Sequence, residues 1–121
     1  MTVTLGMITV DTTGPLPLAT WWAQQTGGSI IAENEGFFVV VSIGDGSPVL
    51  GFQLVDDPTP GKNRIHLDLH AEDLDVEVAR LIDAGATKIA DHEMPGLSWV
   101  TLADPDGNQF CVAQASSPDQ N

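Results

Sequence analysis

The stretch Asn-Arg-Ile-His-Leu-Asp-Leu-His, residues 63–70, gathers more groups able to do chemistry than any other part of this 121-residue chain. His66, Asp68 and His70 alternate with Ile65, Leu67 and Leu69, the pattern of a strand with one polar and one apolar face. An imidazole near a carboxylate is an acid–base pair, because the carboxylate orients the ring; Asp68, on the same face, can fill that role for His66. Four strand residues at about 3.3 Å each put His70 roughly 13 Å from His66, too far for the two to share one ion. Cys111 is the single cysteine, which rules out an internal disulfide and a multi-cysteine zinc site.

These residues need a scaffold, and the chain carries its plan twice. Thr2 to Asp11 alternates as a strand, and Leu16 to Thr26 has helical spacing through Leu18, Trp21, Trp22 and Gln25, closed by Gly27 and Gly28. Of the two tryptophans, adjacent on a helix, at most one should face a sheet squarely. Ser29–Ala32, Gly36–Ile43 and Pro48–Val55 read as three further strands. Pro58, Pro60 and Gly61 mark a connector over Asp56–Lys62. The second module opens with a strand over Arg64–His70. A helix capped by Asp73 follows, with Leu74, Val78, Leu81 and Ile82 as its stripe, ending near Gly85. Strands around Thr87–Ala90, Leu97–Ala103 and Asn108–Gln114 complete it, the last two joined by the turn Asp104-Pro105-Asp106-Gly107. His92 falls in Asp-His-Glu-Met-Pro-Gly, which reads as loop. Laying Met7 over His66 aligns Thr9 with Asp68 and Asp11 with His70, and a nearby offset sets Gln53 on Cys111. The expectation is one α+β domain, residues 1–113, made of paired βαβββ modules at 3–55 and 64–113, with a flexible tail over 114–121.

Composition limits the partners. Four basic residues against seventeen acidic ones give a formal charge of −13, which repels phosphate backbones and anionic lipid, so nucleic acid and membrane are not expected. A cationic small molecule would be attracted, although acidic surfaces also serve simply to keep proteins dispersed. No apolar run approaches the roughly 20 residues of a membrane span, and the first ten residues lack the marks of a signal peptide, which reads as cytoplasmic.

With these elements in view, the sequence resembles the vicinal oxygen chelate superfamily, which includes glyoxalase I, extradiol dioxygenases, fosfomycin-resistance enzymes and bleomycin-binding proteins. His-Leu-Asp-Leu-His-Ala-Glu-Asp-Leu-Asp-Val-Glu-Val-Ala-Arg-Leu-Ile-Asp-Ala-Gly-Ala (66–86), Trp-Val-Thr-Leu-Ala-Asp-Pro-Asp-Gly-Asn-Gln-Phe-Cys-Val (99–112) and Leu-Ala-Thr-Trp-Trp (18–22) carry the resemblance, within the small glyoxalase-like type. It implies the glyoxalase/bleomycin resistance/dihydroxybiphenyl dioxygenase fold, a curved mixed sheet with helices on its outer face. It also implies a cleft between the modules lined by Met7, Thr9, Asp11, Gly51, Gln53, His66, Asp68, Cys111 and Trp99, in which Asp11 is an alternative to Asp68 as the carboxylate that orients His66. In metal-using relatives the first and last strands of each module supply the ligands, here Met7, Gln53, His66 and Cys111. Only His66 is a usual ligand of that family, and His66 with Cys111 falls short of three protein donors, so no catalytic metal is expected. The alternative is a divalent ion on His66, Gln53 and Cys111.

Two functions follow as expectations. One is a metal-independent binder of a small organic molecule, with Met7, Thr9, Asp11, Gln53, Trp99 and Cys111 as ligand contacts. The other is a lyase or isomerase type enzyme with His66 and Asp68 as its acid–base groups, or with an unusual metal site. The sequence leaves open which holds, and the plain readings stay beside them: His66 as an inward hydrogen-bonded filler and Cys111 as packing. A homodimer is expected, though one chain has both modules.

Overall fold

The structure is a computed structural model that describes residues 2–115. It divides into two compact units between Thr59 and Pro60, inside the proline-rich connector. The first unit contains β1 (Met7–Thr12), α1 (Pro15–Thr26), β2 (Ser29–Ala32), β3 (Phe38–Ser42) and β4 (Val49–Leu54). The second contains β5 (Asp68–Ala71), α2 (Leu74–Asp83), β6 (Thr87–Met94), β7 (Leu97–Ala103) and β8 (Gln109–Gln114). Each is a four-stranded mixed sheet with one helix, ordered β1-β4-β3-β2 and β5-β8-β7-β6, so the βαβββ plan and the α+β class read from the sequence are the observed ones.

In both units the first strand runs parallel to the last, and the remaining neighbours are antiparallel. That topology sets β4 and β8 inside their sheets, so side chains on these strands have neighbours on both sides.

Helix α1 starts with Pro15, whose fixed φ suits a first helical position, and ends at Gly27 with φ 68°. Gly28 is required for another reason. A Cβ there would lie 2.2 Å from the Ser42 carbonyl oxygen, so the helix exit passes against β3 only without a side chain. Leu18, Trp22, Val39, Val41, Leu50 and Phe52 form the first core. Both Trp21 and Trp22 are buried, at 8% and 3% exposed, packed edge to face with centroids 5.1 Å apart. Both are covered because α1 lies across β2, β3 and β4 together, a base wide enough to bury adjacent positions even where only one ring faces the sheet squarely.

Helix α2 is capped by Asp73, whose carboxylate accepts from the Val76 N–H at 3.2 Å. It packs on β5 and β8, burying Leu74 and Leu81 but leaving Ile82 43% exposed, so only part of the stripe read from sequence is core. Phe110 and Val112 of β8 and Val100 and Leu102 of β7 alternate into that core. Full burial of a residue such as Phe110 stabilises the sheet by about 1.5–3 kcal/mol.

Several boundaries depart from the sequence reading: β1 begins at Met7 rather than Thr2, and Gln114, read both as a strand end and as the first tail residue, is strand. Strand β5 begins at Asp68 rather than Arg64, and Ile65 is 79% exposed. The cause is Asn63: its side-chain amide accepts from the Gln109 N–H (2.8 Å) and donates to the Gln109 carbonyl (2.9 Å) and to Ile65 O (2.8 Å). One side chain thus takes the place of a strand's backbone pairing, and the chain between Asn63 and Leu67 loops free of the ladder. Strand β6 runs on to Met94, making His92 a strand residue, because the Pro95-Gly96 turn, with Gly96 at φ 77°, folds β6 straight onto β7. Gln114 belongs to β8, where its amide accepts from Leu74 N–H (3.0 Å) and donates to Ala71 O and Glu72 O, joining strand end to helix start. Ala115 still bonds back to β5, its N–H donating to Ala71 O at 2.7 Å, and the remainder of the expected tail, 116–121, lies outside the described residues.

Candidate functional site

In the second sheet β5 and β8 pack against α2, Val100, Leu102, Phe110 and Val112 are buried, and the side chains that alternate with them on β7 and β8 belong to a more exposed, largely polar face. On that second face register decides what meets what. Asp68 stands opposite Cys111 across the parallel pair, Cys111 opposite Thr101, and Trp99 opposite His92. A bulge between Lys88 and Ala90 gives β6 an extra residue, Ile89, after which Ala90 faces Thr101 and His92 faces Trp99. Bulges of this kind re-aim side chains.

Hydrogen bonds link this face across the strands. His92 Nε2 lies 3.1 Å from Thr101 Oγ1, and Thr101 Oγ1 lies 3.4 Å from Cys111 Sγ. Two proton arrangements satisfy the chain: the thiol donates to the threonine, which donates to His92, or His92 donates to the threonine, which donates to sulfur. His92 also stacks on Trp99, with centroids 4.9 Å apart and planes 15° from parallel. On the other side of Cys111, His66 Nδ1 approaches Asp68 Oδ1 at 3.5 Å. His66 precedes β5, and Leu67, next to it, accepts from Cys111 N–H at 2.9 Å, so the Asn63 clamp and this bond fix the loop that carries the imidazole.

A cavity of about 230 Å³ opens on this face, lined by Lys62, His66, His92, Thr101, Gln109 and Cys111 with Ile89 and Ala90 as its apolar part. A second cavity of about 520 Å³ lies at the first turn of α2, where Asp75, Asp91 and Glu93 contribute carboxylates. Its helix N–H groups are already engaged, Leu74 by Gln114 and Val76 by Asp73, and Asp91 is held by Lys88 at 2.6 Å.

Four of the residues named from sequence, His66, Asp68, Cys111 and Trp99, share the polar face of the second sheet, and the first three have donor atoms within 4.8 Å of one another. Met7, Thr9, Asp11 and Gln53 lie in the first unit. There Asp11 stands opposite Gln53, both exposed, while Met7 and Thr9 converge with Phe38 over Gly51. A Cβ on Gly51 would meet Met7 Sδ at 2.9 Å, Phe38 Cζ at 3.0 Å and Thr9 Oγ1 at 3.1 Å. The register also adjusts the internal overlay: the residue opposite Thr9 is Gly51, not Gln53, so Thr9 and Gln53 together are not the counterparts of Asp68 and Cys111. Thr101, Asn63 and Gln109 were not singled out from sequence. Thr101 could have been, since Trp99, Thr101 and Ala103 alternate with Val100 and Leu102. His92 was noticed, but as a loop residue able to reach over a cleft or simply exposed, whereas it lies on strand β6 between the charges of Asp91 and Glu93.

The resemblance raised a divalent metal, and the donors can be tested against it. Imidazole, carboxylate and thiolate together suit zinc, which accepts nitrogen, oxygen and sulfur. Sequence reasoning counted two usable donors in this half of the chain; Asp68, facing Cys111, is a third. The residues fit.

The Glyoxalase-like domain family matches residues 7–113. The chain belongs to that family. Its structural neighbours lie in the glyoxalase/bleomycin resistance/dioxygenase superfamily, as the sequence resemblance implied. A family enzyme of that superfamily from Burkholderia phytofirmans PsJN is 21% identical, with a TM-score of 0.80 over 94% of this chain and all (100%) of that one. TnmS3, an antibiotic binding protein from Streptomyces sp. CB03234, is 20% identical with a TM-score of 0.70, covering 95% of this chain and 98% of its own. Lactoylglutathione lyase from Agrobacterium tumefaciens is 16% identical with a TM-score of 0.67, covering 95% and 96%. At these identities the likeness concerns the glyoxalase-like fold, which serves binders and enzymes alike. No curated protein sequence matches the chain. Among the described residues no helix is long and apolar enough to cross a membrane.

Proposed function

We propose that this glyoxalase-like protein binds a small organic molecule on the polar face of its second sheet, around Cys111. The observation that carries the reading is the convergence of His66, His92, Thr101, Gln109, Cys111 and Lys62 on one cavity with an apolar part. A few polar groups set in a concave wall is the usual makeup of a small-molecule site. At about 230 Å³ it is smaller than the roughly 300 Å³ at the low end of drug-sized pockets, so it suits a compact ligand or one compact group of a larger ligand. The Trp99–His92 stack beside it offers flat surface for an unsaturated group. The antibiotic-binding neighbour has this fold, which makes non-catalytic binding a role the scaffold can serve.

The test is a thermal-shift screen of small organic compounds. A specific binder raises Tm in the wild type, as ligand linkage requires, and does so far less in Ala90→Leu, which adds bulk to the cavity wall. Binders that stabilise both proteins equally would place the site elsewhere.

A second reading, a lyase or isomerase, is favoured by the 3.5 Å approach of His66 Nδ1 to Asp68 Oδ1. Here Asp68 orients the imidazole and His66 moves a proton between substrate atoms. Any turnover found should collapse in His66→Ala, and full retention would remove this reading.

A further inference from the structure

We infer that the second unit by itself holds a zinc ion on His66, Asp68 and Cys111. The metal pattern implied by the resemblance takes ligands from both modules and from His and Glu. This chain departs from it in composition and placement, with a thiolate on β8, a carboxylate directly opposite on β5, and the imidazole two residues before that carboxylate.

The geometry is close to what zinc needs. Bonds of about 2.0–2.3 Å arranged tetrahedrally set donors roughly 3.4 Å apart. His66 Nδ1 and Asp68 Oδ1 already stand 3.5 Å apart, and all three donors fall within 4.8 Å. His66 and Asp68 are exposed, so their side chains can close the remaining gap without repacking a core, while Cys111 is half-buried and fixed on an inner strand. Three protein donors leave one coordination position for water or a ligand oxygen, the composition of reactive rather than structural zinc sites. The thiolate also decides which ion: it favours zinc over magnesium, calcium or manganese, which prefer oxygen.

Behind the sulfur the structure supplies support. With sulfur deprotonated, the Thr101 hydroxyl donates to it and His92 Nε2–H donates to Thr101, one of the two arrangements the distances allow. Hydrogen bonds of this sort orient a metal ligand and stabilise its charge. Thr101 is therefore a positioning residue for Cys111. The inference needs no organic ligand, so it stands or falls apart from the binding proposal.

The experiment strips the full-length protein with a chelator and titrates it with cobalt(II), then zinc. One equivalent of cobalt should produce the near-ultraviolet charge-transfer absorption of a thiolate–cobalt bond, and zinc should displace it. Cys111→Ser should lose the band, Asp68→Asn should weaken binding, and Thr101→Val should keep the band while lowering affinity by about 10–100-fold. Far-UV circular dichroism checks that each variant folds. A wild-type protein with no band at stoichiometric cobalt overturns the inference, whatever the variants do. So does a band or a zinc affinity that survives unchanged in folded Cys111→Ser or Asp68→Asn.

Discussion

Asp68 and Cys111 face each other across the parallel pair of β5 and β8, and this single register position brings a carboxylate to the only thiol in the chain. A slip of one residue in β5 would turn Asp68 to the face where Phe110 and Val112 are buried and leave Cys111 on the other. What holds the register lies at the two ends of the pair: Asn63 on Gln109 before it, and Gln114 on Ala71, Glu72 and Leu74 after it.

Asn63→Ala removes a side chain that satisfies both backbone groups of Gln109. We expect a loss of about 1–3 kcal/mol in urea unfolding, since a half-buried donor and acceptor lose their partners together. Amide exchange at Gln109 and Cys111 should accelerate more than at Val100, because the loop carrying His66 is released.

Asp104 is 4% exposed, and its Oδ1 accepts from Asp106 N–H (3.0 Å), Asn108 N–H (2.9 Å) and Asn108 Nδ2 (3.3 Å). Asp104→Ala leaves those turn donors unpaired, and we expect about 2–4 kcal/mol of destabilisation from the combined loss. Asp104→Asn, which keeps an acceptor oxygen, should recover part of it in the same assay.

Two glycine substitutions should rank by what they strike. In Gly51→Ala the new Cβ meets side-chain atoms of Met7, Phe38 and Thr9, which can give way, so the cost should be about 1–3 kcal/mol. In Gly28→Ala it meets the Ser42 carbonyl at 2.2 Å, which cannot move without shifting β3. Thermal melts should show the larger loss at Gly28, and the reverse order would contradict the packing described here.

Cys111→Ser changes a half-buried position on the polar face rather than a core position, and Thr101 can hydrogen-bond the new hydroxyl. With a chelator present, so that no bound metal contributes, its stability should stay within about 1 kcal/mol of the wild type by chemical denaturation. A much larger loss would mean that Cys111 acts as packing.

The architecture was legible because the chain states it twice with strong punctuation. Asp104-Pro105-Asp106-Gly107 fixed the β7–β8 hairpin, and Leu97–Ala103 matched its strand at both ends. The polar face of β5 was legible from the alternation of Asp68 and His70 with Leu67 and Leu69. What stayed hidden depends on register and on side chains acting as backbone. Nothing in the alternation of Arg64–His70 shows that Asn63 would replace the ladder, nor that Asp68 rather than His66 would face Cys111. The bulge at Ile89 is equally silent in sequence, and it alone gives His92 its place over Trp99.

The most direct test of the central claim, ligand binding around Cys111, is a screen of small organic compounds by amide chemical-shift changes on isotope-labelled protein. The account predicts that saturable binders first move the signals of His92, Thr101, Gln109 and Cys111. Binders whose shifts gather elsewhere while these four stay still would contradict it.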